Sequence, residues 1–247
     1  MKLDPVTLEY LRGEKFSNSL NVQYSFYEPI PNRVDFLTEL VKGKQVLHLG
    51  CLDHMNLIEE KILNGQWLHK RLTESAQECL GIDIDSEAAS YVAEKFGFKN
   101  IVLADFTMNQ PAGLAEKQWD YAILGELLEH INNPVSFLEN ICKQLGHHTD
   151  RMVITVPNAW TIHTLKNAER SAEIINSDHR YWFTPYTLSR VIMEAGMEVE
   201  EIYFANRVPL PLIQLIRNKM LKMLKIEVKF PFTFASSIIA IARTKKK

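Results

Sequence analysis

Short apolar segments that alternate with amphipathic helical segments are the feature that most constrains this fold. Five of them have the length and composition of buried strands, at residues 44–50, 79–83, 100–105, 119–124 and 151–157. Helical periodicity fills most of the intervals, with Asn133-Pro134 at one predicted start and Gly196 at one predicted end. Two further strands are predicted at 197–204 and 236–242. This order predicts a doubly wound α/β fold, with a mostly parallel seven-stranded sheet and helices on both faces.

The charges of the chain separate into an acidic body and a basic end. Residues 207–247 carry ten Lys or Arg against one acid, which leaves 18 against 29 for residues 1–206. The net charge of the whole chain is -2. Because no large positive field surrounds the molecule, we expect no nucleic-acid partner.

Three cysteines and the N-terminal residues indicate the cellular compartment. Cys51, Cys79 and Cys142 match neither a disulfide framework nor a zinc site, so we expect reduced thiols. The start of the chain is too charged for a signal peptide, and no run of 18 apolar residues occurs. These observations predict a cytoplasmic protein.

No His, Cys and Asp residues show metal-ligand spacing, so the sequence predicts no metal site.

Ligands of a doubly wound sheet bind at the carboxyl ends of the strands, near the point where strand order reverses. A dinucleotide needs three glycines after the first strand, so that backbone can approach the diphosphate. Here only Gly50 is present, and Leu52 and Met55 stand at the other two positions. A diphosphate would therefore meet side chains, and a nucleoside cofactor without phosphate fits better.

Carboxylates follow the second and third predicted strands. Asp83 can accept hydrogen bonds from two ribose hydroxyls, and Asp85 is expected to cap the next helix. Asp105 can accept a hydrogen bond from an adenine amino group, with Phe106 as an apolar wall for the ring. The strand ends thus predict an adenosine site.

These segments resemble the class I S-adenosylmethionine-dependent methyltransferases over most of residues 44–204. The similar segments occur in the family's order, and they are VLHLGC (46–51), GIDID (81–85), LADF (103–106) and WDYAILGELLEHINNP (119–134). TVPN (155–158) and HRYWFTPYTLSRVIMEAGM (179–197) are similar to the subgroup that includes quinone-biosynthesis methyltransferases. HLGCLDH (48–54) and NGQWLHKRL (64–72) are similar to a bacterial subgroup of surface-polysaccharide biosynthesis proteins. Two departures are His48, where the family usually has an acid, and Leu52, where it has a glycine.

The resemblance implies a Rossmann-like transferase that uses S-adenosylmethionine and releases S-adenosylhomocysteine. The implied cofactor contacts come from four strand ends, and they are His48, Gly50, Cys51, Asp83, Ile84, Asp105, Phe106, Glu126 and Leu127. Within this set, His48 either faces the amino acid tail of the cofactor, since it precedes Gly50 by two residues, or is an interior histidine. Glu126 and Leu127 are expected beneath the cofactor.

Catalysis of methyl transfer requires mainly that the acceptor be held in line with the methyl group. A hydroxyl acceptor must also lose a proton, and histidine suits that role near neutral pH. His130 and His179 are therefore the candidate catalytic residues, although His130 alternatively binds backbone at a helix start and His179 alternatively lies in a surface loop. We expect methylation of a small molecule or a glycan precursor at oxygen. The Asn/Asp-Pro-Pro-Tyr element of enzymes that methylate nucleobase amino groups is absent after the fourth strand, where Gly125-Glu126-Leu127 stands.

The chain is expected to divide into a helical cap (1–43), a cofactor-binding core (44–206) and a basic helix with a final strand (207–247) that completes the same domain. Residues 211–226 are predicted to form an amphipathic helix that packs on the domain, caps the acceptor pocket or makes peripheral membrane contact. Two other functions remain open at this level. One is a non-catalytic regulatory subunit that binds S-adenosylmethionine. The other is a nicotinamide oxidoreductase, which Leu52 and Met55 disfavour.

Overall fold

The computed structural model describes residues 1–24, 28–105, 114, 117–210, 212–226, 228 and 230–244, with the side chains of 212–214 and 222 left aside. The strands in this part of the chain are β1 (Gln45–Leu49), β2 (Glu78–Asp83), β3 (Ile101–Leu103), β4 (Trp119–Gly125), β5 (Thr149–Pro157), β6 (Met197–Arg207) and β7 (Ala235–Thr244). The helices are α1 (Pro5–Leu11), α2 (Arg33–Leu40), α3 (Met55–Leu63), α4 (Leu68–Ser75), α5 (Ser86–Phe96), α6 (Pro134–Leu145), α7 (Ile162–Glu169), α8 (Pro185–Glu194) and α9 (Leu212–Met223). Leu128–His130 and Phe232–Phe234 form single 3-10 turns.

The strands form one seven-stranded sheet in the order β3-β2-β1-β4-β5-β7-β6. Strands β1 to β5 are parallel, and β7 runs antiparallel to both of its neighbours, β5 and β6. The predicted α/β fold is therefore confirmed, and the sheet is mixed. Strand order reverses between β1 and β4, which opens a crevice at their carboxyl ends.

Alternating side chains of the strands build a core on each face of the sheet. From β1, Val46 packs with Leu37 of α2 and Leu72 of α4. Leu47, the next residue of the strand, lies in a second core that includes Leu138 of α6 and buried side chains of α8. Successive strand residues point to opposite faces, so this sequence pattern requires helices on both sides.

Helix starts follow the expected cap chemistry. The side chains of Asn32, Asn133 and Thr184 accept hydrogen bonds from backbone N–H groups in the first turns of α2, α6 and α8. Helices α1, α3 and α7 are of seven to nine residues, and we did not predict them because so few residues give a weak periodic signal. Within the described residues, none of the helices is both long enough and apolar enough to cross a membrane.

Asp85 is confirmed as the N-cap of α5, since its carboxylate accepts a hydrogen bond from the N–H of Ala88 at 2.9 Å. We expect Asp85→Ala to lower the free energy of unfolding by about 1 kcal/mol, because one helix N–H loses its acceptor. Urea denaturation measures this change. Glu87→Ala in the same helical turn is the control and should cost clearly less. Equal losses in the two variants would contradict the capping role.

Candidate active site

Gly50, which follows β1, and Leu127, which follows β4, lie against each other at the base of the crevice between these strands. Gly50 has φ +67°, and a Cβ atom there would lie 2.8 Å from Cδ1 of Leu127. Its N–H donates to the carbonyl of Ile82 at 2.9 Å. A larger residue at position 50 would be strained and would also displace Leu127. The lone glycine of the first motif therefore lets the turn after β1 approach the end of β4.

Asp83 fixes the shape of the loop that follows Gly50. One carboxylate oxygen accepts the N–H of Leu52 at 2.8 Å, and the other accepts the N–H groups of Ile84 at 2.8 Å and Asp85 at 3.2 Å. The side chain is half-buried at the carboxyl end of β2. A carboxylate with about four lone-pair sites retains acceptor capacity after these three bonds, so it fits ribose hydroxyls as well.

The surroundings of Asp83 suit an adenine ring. Ile84, next to Asp83, is 74% exposed and so offers an apolar surface on which a ring can pack. Asp105 is exposed just beyond β3, the neighbouring strand. Phe106, the predicted apolar wall, lies outside the described residues.

His48 and Cys51 are buried behind the crevice. His48 exposes 2% of its surface, and its Nδ1 lies 3.3 Å from Nδ1 of His69 on α4. Burial lowers the pKa of His48 well below its usual value, so the imidazole is neutral. Cys51 is equally buried, and its carbonyl accepts the indole N–H of Trp67 at 3.0 Å. This placement favours the interior-histidine interpretation of His48 over contact with the cofactor tail.

Glu126 continues the crevice after β4 in a strained backbone conformation, with φ +56°. Its carboxylate accepts the hydroxyl of Ser237 at 2.8 Å and lies 3.4 Å from Nε of Arg33. Arg33 also donates to the hydroxyl of Thr155 at 3.1 Å. The sequence predicts Glu126 and Leu127 beneath the cofactor. Glu126 is a carboxylate paired with Arg33, and the side chain of Leu127 lies against Gly50.

Glu129, His130 and His179 form a polar cluster that the linear sequence does not reveal. One potential ligand atom from each residue lies within 4.8 Å of those of the other two. Glu129 is completely buried, and among the described residues neither of its carboxylate oxygens has a hydrogen-bond partner. Nδ1 of His179 is also buried without a partner in that part of the chain. The His130 and His179 rings meet edge to face, with centroids 4.7 Å apart.

The chain between α7 and α8 brings His179 to the 3-10 turn after β4. The N–H of Arg180 donates to the carbonyl of Glu129 at 2.8 Å, and its guanidinium donates to the carbonyl of His130. Asp178 lies 3.4 Å from Nε2 of His54, at the start of α3. These contacts place the cluster beside the loop that follows β1.

Burial dominates the acid-base properties of this cluster. It raises the pKa of Glu129 to about 8, with a smaller contribution from the Glu126 carboxylate. It lowers the pKa of His130, where the neighbouring His179 adds to the effect, and it lowers the pKa of His179. Both imidazoles are therefore neutral at pH 7 and present lone pairs. The arrangement is suited to accepting a proton or binding a cation.

Aromatic side chains lie in two groups near the strand ends. Tyr24 and Trp160 each contact the ring of Phe232, with centroid distances of 5.7 Å and 5.8 Å. His179 contacts Trp182, with centroids 6.4 Å apart. Trp160 is partly exposed. Tyr24 and Trp160 thus share a contact with Phe232, and Trp182 lies beside His179.

Comparison with known proteins identifies the family. The model of a methyltransferase-domain family matches residues 22–202. Among curated proteins, none matches the chain. Solved structures with the same fold include an S-adenosylmethionine-dependent methyltransferase from Archaeoglobus fulgidus, with 19% identity, TM-score 0.51, and coverage of 86% of this chain and 91% of that one.

Two further structures extend the comparison. Magnesium protoporphyrin IX methyltransferase from Synechocystis, solved with bound S-adenosylhomocysteine, has 11% identity and TM-score 0.51, over 86% of this chain and 82% of that one. The small RNA methyltransferase HEN1 has 17% identity and TM-score 0.56, over 94% of this chain and 28% of that one.

The chain belongs to the methyltransferase-domain family and is a class I S-adenosylmethionine-dependent methyltransferase. Its cofactor is S-adenosylmethionine. The predicted class of enzyme and the predicted cofactor are confirmed. The crevice fits this cofactor, because Gly50 permits the tight turn after β1 and Asp83 offers acceptors beside that turn.

We expect Asp83→Ala to weaken S-adenosylhomocysteine binding about 10- to 100-fold, or about 1–3 kcal/mol, because ribose loses a charged acceptor and the Leu52 loop loses its anchor. Isothermal titration calorimetry measures the dissociation constant. Asp85→Ala is the matched control, since it removes a carboxylate two residues away that caps a helix, and its affinity should stay close to that of the unmodified protein. Unchanged binding by Asp83→Ala would show that the ribose lies elsewhere.

Proposed function

We propose that this enzyme methylates a hydroxyl oxygen of a small molecule or glycan precursor, with a divalent cation held by Glu129, His130 and His179. The observation that carries the proposal is the approach of three ligand atoms to within 4.8 Å of one another, one of them from a completely buried carboxylate. An unpartnered carboxylate in that position is costly unless it is protonated or meets a cation. A bound cation would compensate its charge.

The types of ligand indicate which cations suit the cluster. Two imidazoles and one carboxylate supply two nitrogens and one oxygen, a set that binds Mn²⁺, Co²⁺ and Zn²⁺. Magnesium prefers oxygen ligands and its own water shell, so we expect it to bind less tightly. Three protein ligands also leave coordination positions for an acceptor.

The reaction at this site is a displacement at carbon. Bound S-adenosylmethionine supplies a methyl group on a positively charged sulfur. The acceptor oxygen forms a bond to the methyl carbon as the carbon–sulfur bond breaks, and the sulfur keeps the electron pair. The hydroxyl proton must leave, and a cation held by His130 and His179 would favour its transfer to water by stabilising negative charge on the oxygen. Without a cation, a neutral imidazole of the same cluster could accept that proton.

Cofactor contacts are proposed for the residues that border the crevice. These are Gly50, Asp83, Ile84, Asp105, Glu126 and Leu127. The side chains of His48 and Cys51 are buried, so their predicted contacts with the cofactor are left out of this proposal.

The charge of the body favours a small acceptor over a nucleic acid. Residues 1–206 carry 18 Lys or Arg against 29 Asp or Glu. The similarity to HEN1 raises a small RNA as the contrasting acceptor, but an acidic surface repels a polyanion. Trp160 and Trp182 offer apolar surfaces on which a ring or a sugar can pack.

Metal binding is tested without any acceptor. We expect the protein to bind Mn²⁺ in a titration followed by electron paramagnetic resonance, and Glu129→Gln to weaken that binding at least tenfold, because the anionic ligand is lost while side-chain size is kept. His163→Ala is the matched control, since it removes an exposed histidine on α7, and it should bind like the unmodified protein. Absence of Mn²⁺, Co²⁺ and Zn²⁺ binding would contradict the cation and leave the cluster as a proton acceptor.

Acceptor class is tested with labelled cofactor. We expect methyl transfer to hydroxyl groups within a panel of phenols, catechols and nucleotide sugars, and none to small RNA duplexes. His130→Ala and His179→Ala should each reduce the rate at least 100-fold, since both lie at the proposed transfer point. Labelling of RNA alone would overturn the proposed acceptor class.

A further inference from the structure

The connection between β6 and β7 begins on the side of the sheet where the carboxyl ends of β1–β5 and the candidate active site lie. Because β6 runs parallel to β1–β5, its end at Arg207 lies at the same edge as Gly50 and Asp83. Residues 208–234 therefore start and finish there. Phe232, within this connection, accepts a hydrogen bond through its carbonyl from Asn158, which follows β5. Helix α9 therefore lies in a connection that begins and ends on the same side of the sheet as the crevice.

Helix α9 and the residues after it turn apolar side chains outward. The polar Asn218 is buried, with 7% exposed. Six large apolar residues expose between 43% and 77% of their surface, and they are Leu215, Ile216, Met220, Met223, Leu224 and Ile226. The interpretation in which this helix packs its apolar face on the domain is therefore wrong for these residues. We call these six residues the α9 patch.

Positive charge surrounds the α9 patch. Arg217, Lys219 and Lys225 are exposed among its residues. The sequence from 207 to 226 contains five Lys or Arg and no Asp or Glu. An exposed apolar surface of this extent marks an interaction site, and its cationic border requires an anionic counterpart.

A twofold symmetric dimer that pairs the α9 patch with itself does not supply that counterpart. In a twofold symmetric dimer built on the α9 patch, the same surface of each copy would face the other, so cations would meet cations. An anionic lipid surface satisfies both requirements, because acyl chains receive the apolar side chains and headgroups pair with the lysines and arginines.

We propose that the α9 patch docks this methyltransferase on an anionic membrane surface. The docked helix lies in the plane of the interface, with Ile216, Met220 and Met223 inserted and Lys219 at the headgroups. Because the connection that carries α9 starts and ends at the sheet edge with the crevice, docking holds the active site near the lipid. The docking role does not depend on the proposed cation or on the acceptor.

Vesicle flotation tests this proposal with the full chain. We expect the protein to float with vesicles of phosphatidylcholine and phosphatidylglycerol at 3:1, and to stay in solution with phosphatidylcholine alone. Raising the salt concentration should weaken the binding, since the lysines act through charge. The double variant Met220→Glu, Met223→Glu should lose at least tenfold in binding. Leu63→Glu is the matched control, since Leu63 is 73% exposed at the end of α3, and it should bind normally.

The vesicle assay would overturn the proposal if the protein failed to float with anionic vesicles, or if the double variant floated equally well. Sedimentation velocity separates a further outcome. If the unmodified protein is a dimer, the double variant is a monomer and neither binds vesicles, the α9 patch is a self-association surface and the proposal is overturned. S-adenosylhomocysteine affinity of the double variant serves as the folding check, because neither residue lies in the crevice.

Discussion

The hydrogen bonds of the Asp83 carboxylate are the interaction on which the site depends. They join the end of β2 to the loop after β1, through the N–H groups of Leu52 and Ile84. The side chain of Leu52, which stands where a dinucleotide fold has glycine, packs against the apolar cluster of Ile58, Ile62, Trp67 and Val92. Gly50 allows the same loop to contact Leu127 at the end of β4. A phosphate-free nucleoside fits this crevice, which agrees with the cofactor of the family.

The pairing of β1 with β4 also positions the turn after β4, which carries the proposed catalytic residues. The chain that leaves β4 passes through Glu126 and then forms the turn that carries Glu129 and His130. Arg33 pairs with Glu126, whereas Glu129 forms no ion pair among the described residues and feels Arg33 only weakly. The contrast between a paired and an unpaired carboxylate, three residues apart, is the electrostatic basis for placing a divalent cation at Glu129. The same turn carries His130, whose ring meets that of His179 edge to face.

Features encoded within a few adjacent residues could be predicted from the sequence. Strand periodicity, helix caps such as Asp85 and the motifs around Gly50 and Asp83 are local, so the sheet and the cofactor crevice followed from them. The Glu129, His130 and His179 cluster could not be predicted by spacing, because His179 comes from the segment between α7 and α8 and reaches the turn after β4 only through the contacts of Arg180. The adjacent Glu129-His130 pair was the available signal.

Periodicity also does not tell which face of an element turns inward. The side chain of His48 points to the face of the sheet that α4 covers, where it meets His69. The alternation of residues in β1 does not by itself show which face that is. Helix α9 is amphipathic as predicted, yet it buries Asn218 and exposes its methionines. Tertiary packing decides both outcomes, since burial depends on what the neighbouring elements leave uncovered.

The most direct test of this account is a crystal structure with S-adenosylhomocysteine and Mn²⁺, measured with anomalous scattering at the manganese edge. The account predicts ribose hydroxyls on Asp83 and an anomalous peak within bonding distance of Glu129, His130 and His179. A ribose bound away from Asp83, with no peak at the cluster, would contradict it.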